Sequence, residues 1–263
     1  MSNGNGEGAA VQSVSRAVSI LELLADEGEL GVTELGRRLG VHKATASRLV
    51  STLGDHGLVE RNPATEKFRL GLGLMYLAGA AVAGVDLVHH ARPILEELAE
   101  RCRETVTLGV LDRDQVVYVD QVSSSRAIVS VNWVGRRTPL HCSASGKVLL
   151  ACLGGPERER LLAGPFEVRT RATVVDADTL RPQLVEVLAK GYAQTLEELE
   201  EGLNAVAAPI HRADGEVVAA LSVSGPAFRL PPIEVPRVAR MTIDAANAIS
   251  RRLGFSERRR SLA

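Results

Sequence analysis

Apolar residues recur at helical spacing in the first part of the chain. The first such series is Val14, Val18, Leu21 and Leu24. It predicts a helix that ends at Gly28, because glycine readily closes a helix. Thr33 is suited to cap a second helix over 34–39, and a third helix is predicted over 43–55, with its apolar residues on one face.

Two strand-like runs follow these helices, at 58–61 and 67–70. The turn between them, Asn62-Pro63-Ala64-Thr65, favours a β-hairpin. From Leu72 to Gly84 the chain is rich in Ala, Gly and Leu and carries almost no charge. This composition predicts a helix that links two domains and packs against another surface, since it has no polar face.

Beyond Asp86 the pattern changes to strands mixed with helices. Helices are predicted over 86–103, 146–152, 180–190 and 236–253, and strands over 106–111, 116–119, 127–131, 206–210 and 217–223. This mixture predicts an α+β fold with a largely antiparallel sheet. The expected organisation is a disordered tail (1–12), a winged helix-turn-helix (13–71), a linker helix (72–85), a C-terminal domain (86–254) and a basic tail (255–263).

The composition is that of an ordinary globular protein. Of the 263 residues, 45% are apolar and 24% are charged, and the formal net charge is -1. No apolar run reaches the ~18 residues of a membrane-spanning helix, and the Gly/Asn/Ser-rich N-terminus is unlike a signal peptide. The three cysteines are too few and too irregular for a disulfide framework or a zinc motif. We therefore expect a cytoplasmic protein with free thiols and without a metal ion, a cofactor or a membrane partner.

The order helix, glycine-containing turn, helix and hairpin is typical of a winged helix-turn-helix that binds DNA. The second helix of such a domain enters the major groove, so its outer face must be small and polar. The residues expected on this face are Lys43, Ala44, Thr45, Ser47 and Arg48. The hairpin offers four polar residues for contacts with phosphates or the minor groove: Asn62, Thr65, Lys67 and Arg69.

The distribution of charge supports this interpretation. Seven basic and four acidic side chains lie between Thr33 and Leu70, so this segment carries +3 within a chain of net charge -1. Positive charge is therefore concentrated where DNA phosphates would lie. The alternative interpretation is a small helical subdomain whose solvated basic residues bind another protein.

Four segments of the chain resemble the IclR family of bacterial transcription regulators. Residues 13–71, which begin SVSRAVSILELL, are similar to that family's DNA-binding domain. The runs VGRRTPLHCSASGKVLLA, LAKGYAQTLEELEEGLNAVAAPI and GEVVAALSVSGP resemble its effector domain, in the family's order and spacing. The resemblance covers residues 13–252. It implies a GAF-like effector domain, a homodimer or tetramer, a palindromic operator in double-stranded DNA and a small organic effector, often a carboxylic acid.

The resemblance places the effector site on eight residues: Ala144, Ser145, Gly146, Thr195, Leu203, Ala205, Ser222 and Ser224. The first three are expected to begin a helix, whose free N–H groups and dipole favour an anion. Ser222 and Ser224 lie two apart on a predicted strand and so face the same side, although neighbours in the sheet could also satisfy their hydroxyls.

Two of these positions bear on the identity of the effector. Relatives that sense very small keto- or aldehyde-acids resemble one another in having Asp at the position of Thr195 and Cys at the position of Ala205. The resemblance therefore implies a roomier and less polar cavity in this chain. Such a cavity favours an aromatic or sugar-derived acid over a glyoxylate-like effector.

These features together predict a ligand-responsive DNA-binding regulator without catalytic activity, in particular a repressor of a catabolic operon that an organic acid relieves. The competing interpretation is an enzyme or storage protein built on the C-terminal domain. Catalysis is disfavoured because His141 and Cys142 are neighbours expected to point to opposite faces. The four glutamates within 197–201 predict a solvated acidic loop, since no His or Cys is spaced to complete a metal site with them.

Overall fold

A computed structural model of the protein describes residues 11–77, 87–123 and 131–256. These residues form two compact units, divided between residues 85 and 86, and each unit is described by itself. Several sequence predictions lie outside the described residues: the first ten residues of the tail, most of the linker helix, the strand over 127–130 and the basic tail from residue 257.

The N-terminal unit contains three helices and a two-stranded hairpin. Helices α1, α2 and α3 are Gln12–Glu27, Val32–Arg38 and Lys43–Asp55, and strands β1 and β2 are Val59–Arg61 and Phe68–Leu70. The strands are antiparallel, with Arg61 opposite Phe68. Apolar residues from all three helices and the hairpin form one core. Residues 73–77 are again helical. The predicted winged helix-turn-helix is confirmed.

Two details of the N-terminal unit differ from the sequence prediction. Helix α2 begins after Gly31, so Thr33 lies within its first turn and does not cap it. In α1 the core side chains are Ile20 and Leu24, whereas Val14 and Val18 are exposed. The apolar periodicity therefore predicted the helix correctly, but two of the residues on its apolar face lie in solvent and not in the core.

The turn between α2 and α3 depends on two glycines. A Cβ on Gly36 would lie 3.1 Å from the carbonyl oxygen of Val41, so the chain passes close to α2 at this point. Gly40 has φ of +63°, a conformation that glycine adopts without strain. His42 caps α3, its Nδ1 accepting a hydrogen bond from the amide of Ala44 at 3.3 Å.

The C-terminal unit is built on one six-stranded sheet. Its strands are β3 (Thr105–Asp112), β4 (Gln115–Val122), β5 (Arg137–Pro139), β6 (Ala193–Leu196), β7 (Leu203–His211) and β8 (Val217–Pro226). Their order in the sheet is β5-β4-β3-β8-β7-β6, and every neighbouring pair is antiparallel. This confirms the predicted α+β fold with an antiparallel sheet.

Helices cover both faces of this sheet. The helices on one face are α4 (Leu87–Cys102) and α8 (Val235–Arg252). The helices on the other face are α5 (Ala144–Cys152) and α7 (Ala177–Lys190), with α6 (Gly155–Leu162) between them in the chain. Each face has its own apolar core. Prediction from sequence missed β5, β6 and α6, which are short and lack a clear apolar period.

No helix in the described ranges is long and apolar enough to cross a membrane.

Candidate functional site

Helix α3 presents a small, polar face to solvent. The five predicted residues, Lys43, Ala44, Thr45, Ser47 and Arg48, are all exposed. Ala46, Val50 and Leu53 of the same helix are buried and hold it against the rest of the unit. The helix is thus anchored by one face while the other is free to enter a groove, as the second helix of a helix-turn-helix requires.

The basic residues of this segment divide into two groups. Four of the seven have acidic partners: Arg37 and Arg38 bind Glu34, Arg61 binds Glu66, and Arg69 binds Glu60. The other three, Lys43, Arg48 and Lys67, form no ion pair with any residue that the structure describes. The available positive charge therefore lies at the start of α3 and on the hairpin, where phosphates could neutralise it.

Two of the four predicted hairpin residues have partners within the unit. The Asn62 side-chain amide donates to Glu29 Oε1 at 2.6 Å, and the Thr65 hydroxyl donates to Glu29 Oε2 at 2.9 Å. These hydrogen bonds, that from Asn62 most strongly, lower the pKa of Glu29. Asn62 and Thr65 therefore fix the hairpin to the loop after α1. Lys67 is the more available hairpin residue for a phosphate, because Arg69 is exposed but paired with Glu60.

The C-terminal unit contains a cavity between its sheet and helix α5. Six of the eight predicted effector residues line it: Ala144, Thr195, Leu203, Ala205, Ser222 and Ser224. The sheet brings them together because β6, β7 and β8 are neighbours, with Thr195 opposite Ala205 and Ala205 opposite Ser224. Five further residues complete the lining and were missed from sequence: Thr107, Tyr118, Trp133, Ser143 and Leu199.

Ser145 and Gly146 are not among the residues that line this cavity, and their part in an effector site stays a prediction. Gly146 faces the backbone of Leu140, where a Cβ would meet the carbonyl oxygen at 2.4 Å. Its amide also donates to the Ser143 hydroxyl, which caps α5 at 3.2 Å. Ser145 is buried beside the Tyr118 hydroxyl. Of the three amides expected to be free, that of Gly146 is therefore used by the cap. The amides of Ala144 and Ser145 remain, because the first turn of a helix supplies no acceptor for them.

The cavity wall is neutral. No lysine, arginine, histidine or carboxylate is among the described residues that line it, and six of its side chains carry hydroxyls. Burial raises the pKa of Tyr118, which keeps its phenol protonated as a hydrogen-bond donor. The described wall is therefore rich in hydrogen-bonding groups and carries no charged side chain, and its lower polarity relative to relatives with Asp and Cys at these positions stays a prediction.

The empty space of the cavity is about 380 Å³ including the open mouth. That it is roomier than the cavity of relatives with Asp and Cys at these two positions stays a prediction. Trp133 packs edge-on against Tyr118, with ring centroids 5.7 Å apart, and both side chains line the cavity.

A buried ion pair lies beside the cavity and was missed from sequence. The Lys147 ammonium contacts both oxygens of Glu198 at 2.6 Å. Glu198 is buried, so the prediction that all four glutamates of 197–201 lie in a solvated loop is wrong at this residue. The two partners are 51 residues apart, and no local pattern relates them.

His141 and Cys142 are buried side by side but do not form a reactive pair. His141 stacks on Phe166, and its Nε2 lies 2.9 Å from the carbonyl oxygen of Glu167, so that nitrogen carries the proton. Burial raises the pKa of Cys142 to about 12, which keeps the thiol protonated and unreactive. Neither side chain lines the cavity.

His141 gives the C-terminal unit a dependence on pH. Burial lowers the pKa of His141 below its ordinary value of 6.5, so the unfolded chain binds this proton more tightly than the folded one. Its contribution to stability is present above pH 6.5 and is lost as the pH falls through the lower, folded value. In urea unfolding followed by Trp133 fluorescence, the free energy of unfolding should fall more between pH 7.5 and pH 5.5 for the wild type than for His141→Gln. Equal falls would contradict the assignment to His141.

Comparison with known proteins places both units in one family. Residues 13–63 match the family model described as the IclR helix-turn-helix domain, and residues 79–251 match the bacterial transcriptional regulator IclR C-terminal model. The chain is 35% identical over 247 residues to the HTH-type transcriptional regulator XynR of Escherichia coli, covering 93% of this chain and 98% of that one. It is also 35% identical to the regulator KdgR of the same organism, covering 94% and 95%.

Solved structures agree with these matches. An IclR homologue from Microbacterium hydrocarbonoxydans, crystallised with 4-hydroxybenzoate, has a TM-score of 0.82 at 31% identity, over 92% of this chain and 98% of that one. IclR regulators combine a DNA-binding helix-turn-helix with a C-terminal domain for a small-molecule effector, and they are regulators, not enzymes. The chain belongs to the IclR family of bacterial transcription regulators.

Proposed function

We propose that this protein represses a catabolic operon and that a small organic acid, bound in the cavity of the C-terminal unit, relieves the repression. The observation that carries the proposal is that six of the eight residues which the family resemblance assigned to the effector site line one cavity, at the first turn of a helix. Relatives described as the acetate operon repressor and the glycerol operon regulatory protein support a role in catabolism. An operator-binding protein of this kind acts in the bacterial cytoplasm.

The DNA interface of the proposal is the exposed face of α3 together with the hairpin. Arg48 and Lys43 are suited to guanine or phosphate, Thr45 and Ser47 to either base edges or phosphates, and Ala44 permits close approach. Lys67 and Arg69 on the hairpin are suited to phosphates beside the groove. Asn62 and Thr65 belong to the interface through the shape they give the hairpin.

The chemistry of the cavity supports an acid that carries hydroxyl groups. Because none of the described residues that line the cavity is cationic, a carboxylate would be held by the first-turn amides of α5 and by the helix dipole. The hydroxyls of Thr195, Ser222 and Ser224 could then bind polar groups on the rest of the molecule. Trp133 offers a planar face for a ring, and a relative crystallised with 4-hydroxybenzoate supports an aromatic acid as one candidate.

Exposed apolar residues support assembly of the regulator as a homodimer or tetramer on a palindromic operator. In α1 and the residue before it, Val11, Val14 and Val18 are 64%, 60% and 48% exposed. Among residues 72–77, Leu72, Met75 and Tyr76 are at least 70% exposed. Side chains of this kind are commonly covered by a second copy of the chain.

Two measurements test the proposed function. Fluorescence anisotropy with the DNA upstream of the gene should show tight, salt-sensitive binding that a scrambled sequence of equal length does not compete. A thermal-shift assay with 4-hydroxybenzoate, gluconate and glyoxylate should show stabilisation by one of the first two, by about 2.7 kcal/mol at 100 times its dissociation constant. Absence of sequence-specific DNA binding would contradict the DNA-binding role, and stabilisation by glyoxylate alone would contradict the proposed class of effector.

A further inference from the structure

We propose that the buried ion pair of Lys147 and Glu198 is a positioning device that holds together the two walls of the cavity and thereby sets effector affinity. The proposal rests on the proposed function, because it assigns a role in the same cavity. Lys147 is 1% exposed and receives a third contact from Gln183, whose side-chain oxygen lies 2.7 Å from its ammonium. Neither charged residue lines the cavity.

Each partner belongs to a different wall. Lys147 lies in the first turn of α5, and its amide donates to the carbonyl of Ser143, a cavity residue, at 2.9 Å. Glu198 directly precedes Leu199, another cavity residue, in the loop between β6 and β7. The contact between the ammonium and the carboxylate therefore fixes the distance between the helix end and this loop.

The loop needs such an anchor because its backbone is held in an uncommon conformation. Glu197 has φ of +58°, in the left-handed region that residues with a side chain rarely adopt. Its carbonyl accepts a hydrogen bond from the Thr170 hydroxyl at 2.6 Å, and the Glu198 carbonyl accepts one from Thr173 at 2.8 Å. These bonds hold the backbone from one side, and Lys147 holds the Glu198 side chain from the other.

The two charges also depend on each other. Burial lowers the pKa of Lys147 and raises the pKa of Glu198, while the attraction between them opposes both shifts. Removing one partner leaves the other as an uncompensated buried charge, which destabilises a fold more than removing both. This difference allows a positioning role to be separated from a purely structural one.

The test compares Glu198→Gln, the double variant Lys147→Met/Glu198→Gln, and a matched control, Glu104→Gln. Glu104 is 6% exposed and binds Arg229 through two contacts of 2.7 Å. It packs against Gly225, on the face of β8 opposite to Ser224, and so away from the cavity. For each protein we measure amide hydrogen exchange and the free energy of unfolding in urea. We also measure the binding of 4-hydroxybenzoate and of gluconate through the fluorescence of Trp133.

We expect amides of residues 195–202 to exchange roughly tenfold faster in Glu198→Gln and in the double variant, but not in the control. The double variant should recover the free energy of unfolding that Glu198→Gln loses. Its loop amides should still exchange fast, and its affinity for the organic acid should stay low. The proposal would be overturned if the exchange rates of the loop amides were the same in all proteins. It would also be overturned if these rates changed only in proportion to the free energy of unfolding. The exchange measurement decides this even if neither acid binds the wild type, a result that would count only against the proposed effector class.

Discussion

Replacing Arg48 with alanine is expected to weaken binding to the upstream DNA by roughly 10- to 100-fold, the loss typical of one specific base contact. The guanidinium stands on the exposed face of α3 and forms no ion pair within the described residues, so its charge and its donors are available to DNA. Because the side chain has no ion pair or hydrogen bond with the described part of the chain, the free energy of unfolding should change by less than about 0.5 kcal/mol.

Arg101→Ala is the matched control for this variant. It removes the same charge from an exposed arginine, but in helix α4 of the C-terminal unit, where the arginine pairs with Glu97. Anisotropy titrations of both variants at two salt concentrations separate a local contact from a change in net charge. Equal affinities for Arg48→Ala and wild type would remove Arg48 from the interface.

Replacing Ala205 with leucine is expected to abolish effector binding while operator binding is retained. Ala205 lies in the cavity wall between Thr195 and Ser224, two residues from the cavity residue Leu203 on the same strand. Three added carbons would occupy the position of the ligand, and we expect affinity to fall on the order of 100-fold, or about 2.8 kcal/mol. The variant should therefore repress in the presence of the acid.

Ala163→Leu provides the comparison, since it makes the same change at an exposed position at the end of α6. Titration with gluconate or 4-hydroxybenzoate is followed through Trp133, the chain's single tryptophan and a cavity residue. If Ala205→Leu bound the acid as tightly as Ala163→Leu does, the cavity would not be the effector site.

The N-terminal unit was predictable from sequence because its signals are local. The period of apolar residues in α3 separates a buried face with Ala46 and Val50 from an exposed face with Arg48, and the Asn-Pro turn marks the hairpin. The contact of Glu29 with Asn62 and Thr65 was not predictable, since it joins residues more than 30 positions apart. Polar residues in a turn were expected to face DNA, and two of them face the protein.

The cavity was predictable only in part, because residues distant in the sequence also form its wall. Strand alternation and the family resemblance indicated Ser222 and Ser224, which the structure brings to one side of β8. Tyr118 and Trp133 reach the same cavity from β4 and from the segment before β5, and nothing in their local sequence indicates it. The role of Gly146 in the first turn of α5 was also not predictable from sequence. Only the structure shows that the backbone of Leu140 lies so close that no side chain fits there.

Control of DNA binding by an effector requires that the cavity and the DNA interface be energetically coupled. Binding to the upstream DNA is measured for the wild type and for Ala205→Leu. Each protein is tested with and without one acid, the one that stabilises the wild type most in the thermal-shift assay. We predict that the acid weakens DNA binding by the wild type and, by reciprocity, that the DNA weakens acid binding by the same factor, with no effect in Ala205→Leu. DNA affinity that is unchanged by the acid in the wild type, or reduced equally in both proteins, would contradict control of DNA binding through this cavity.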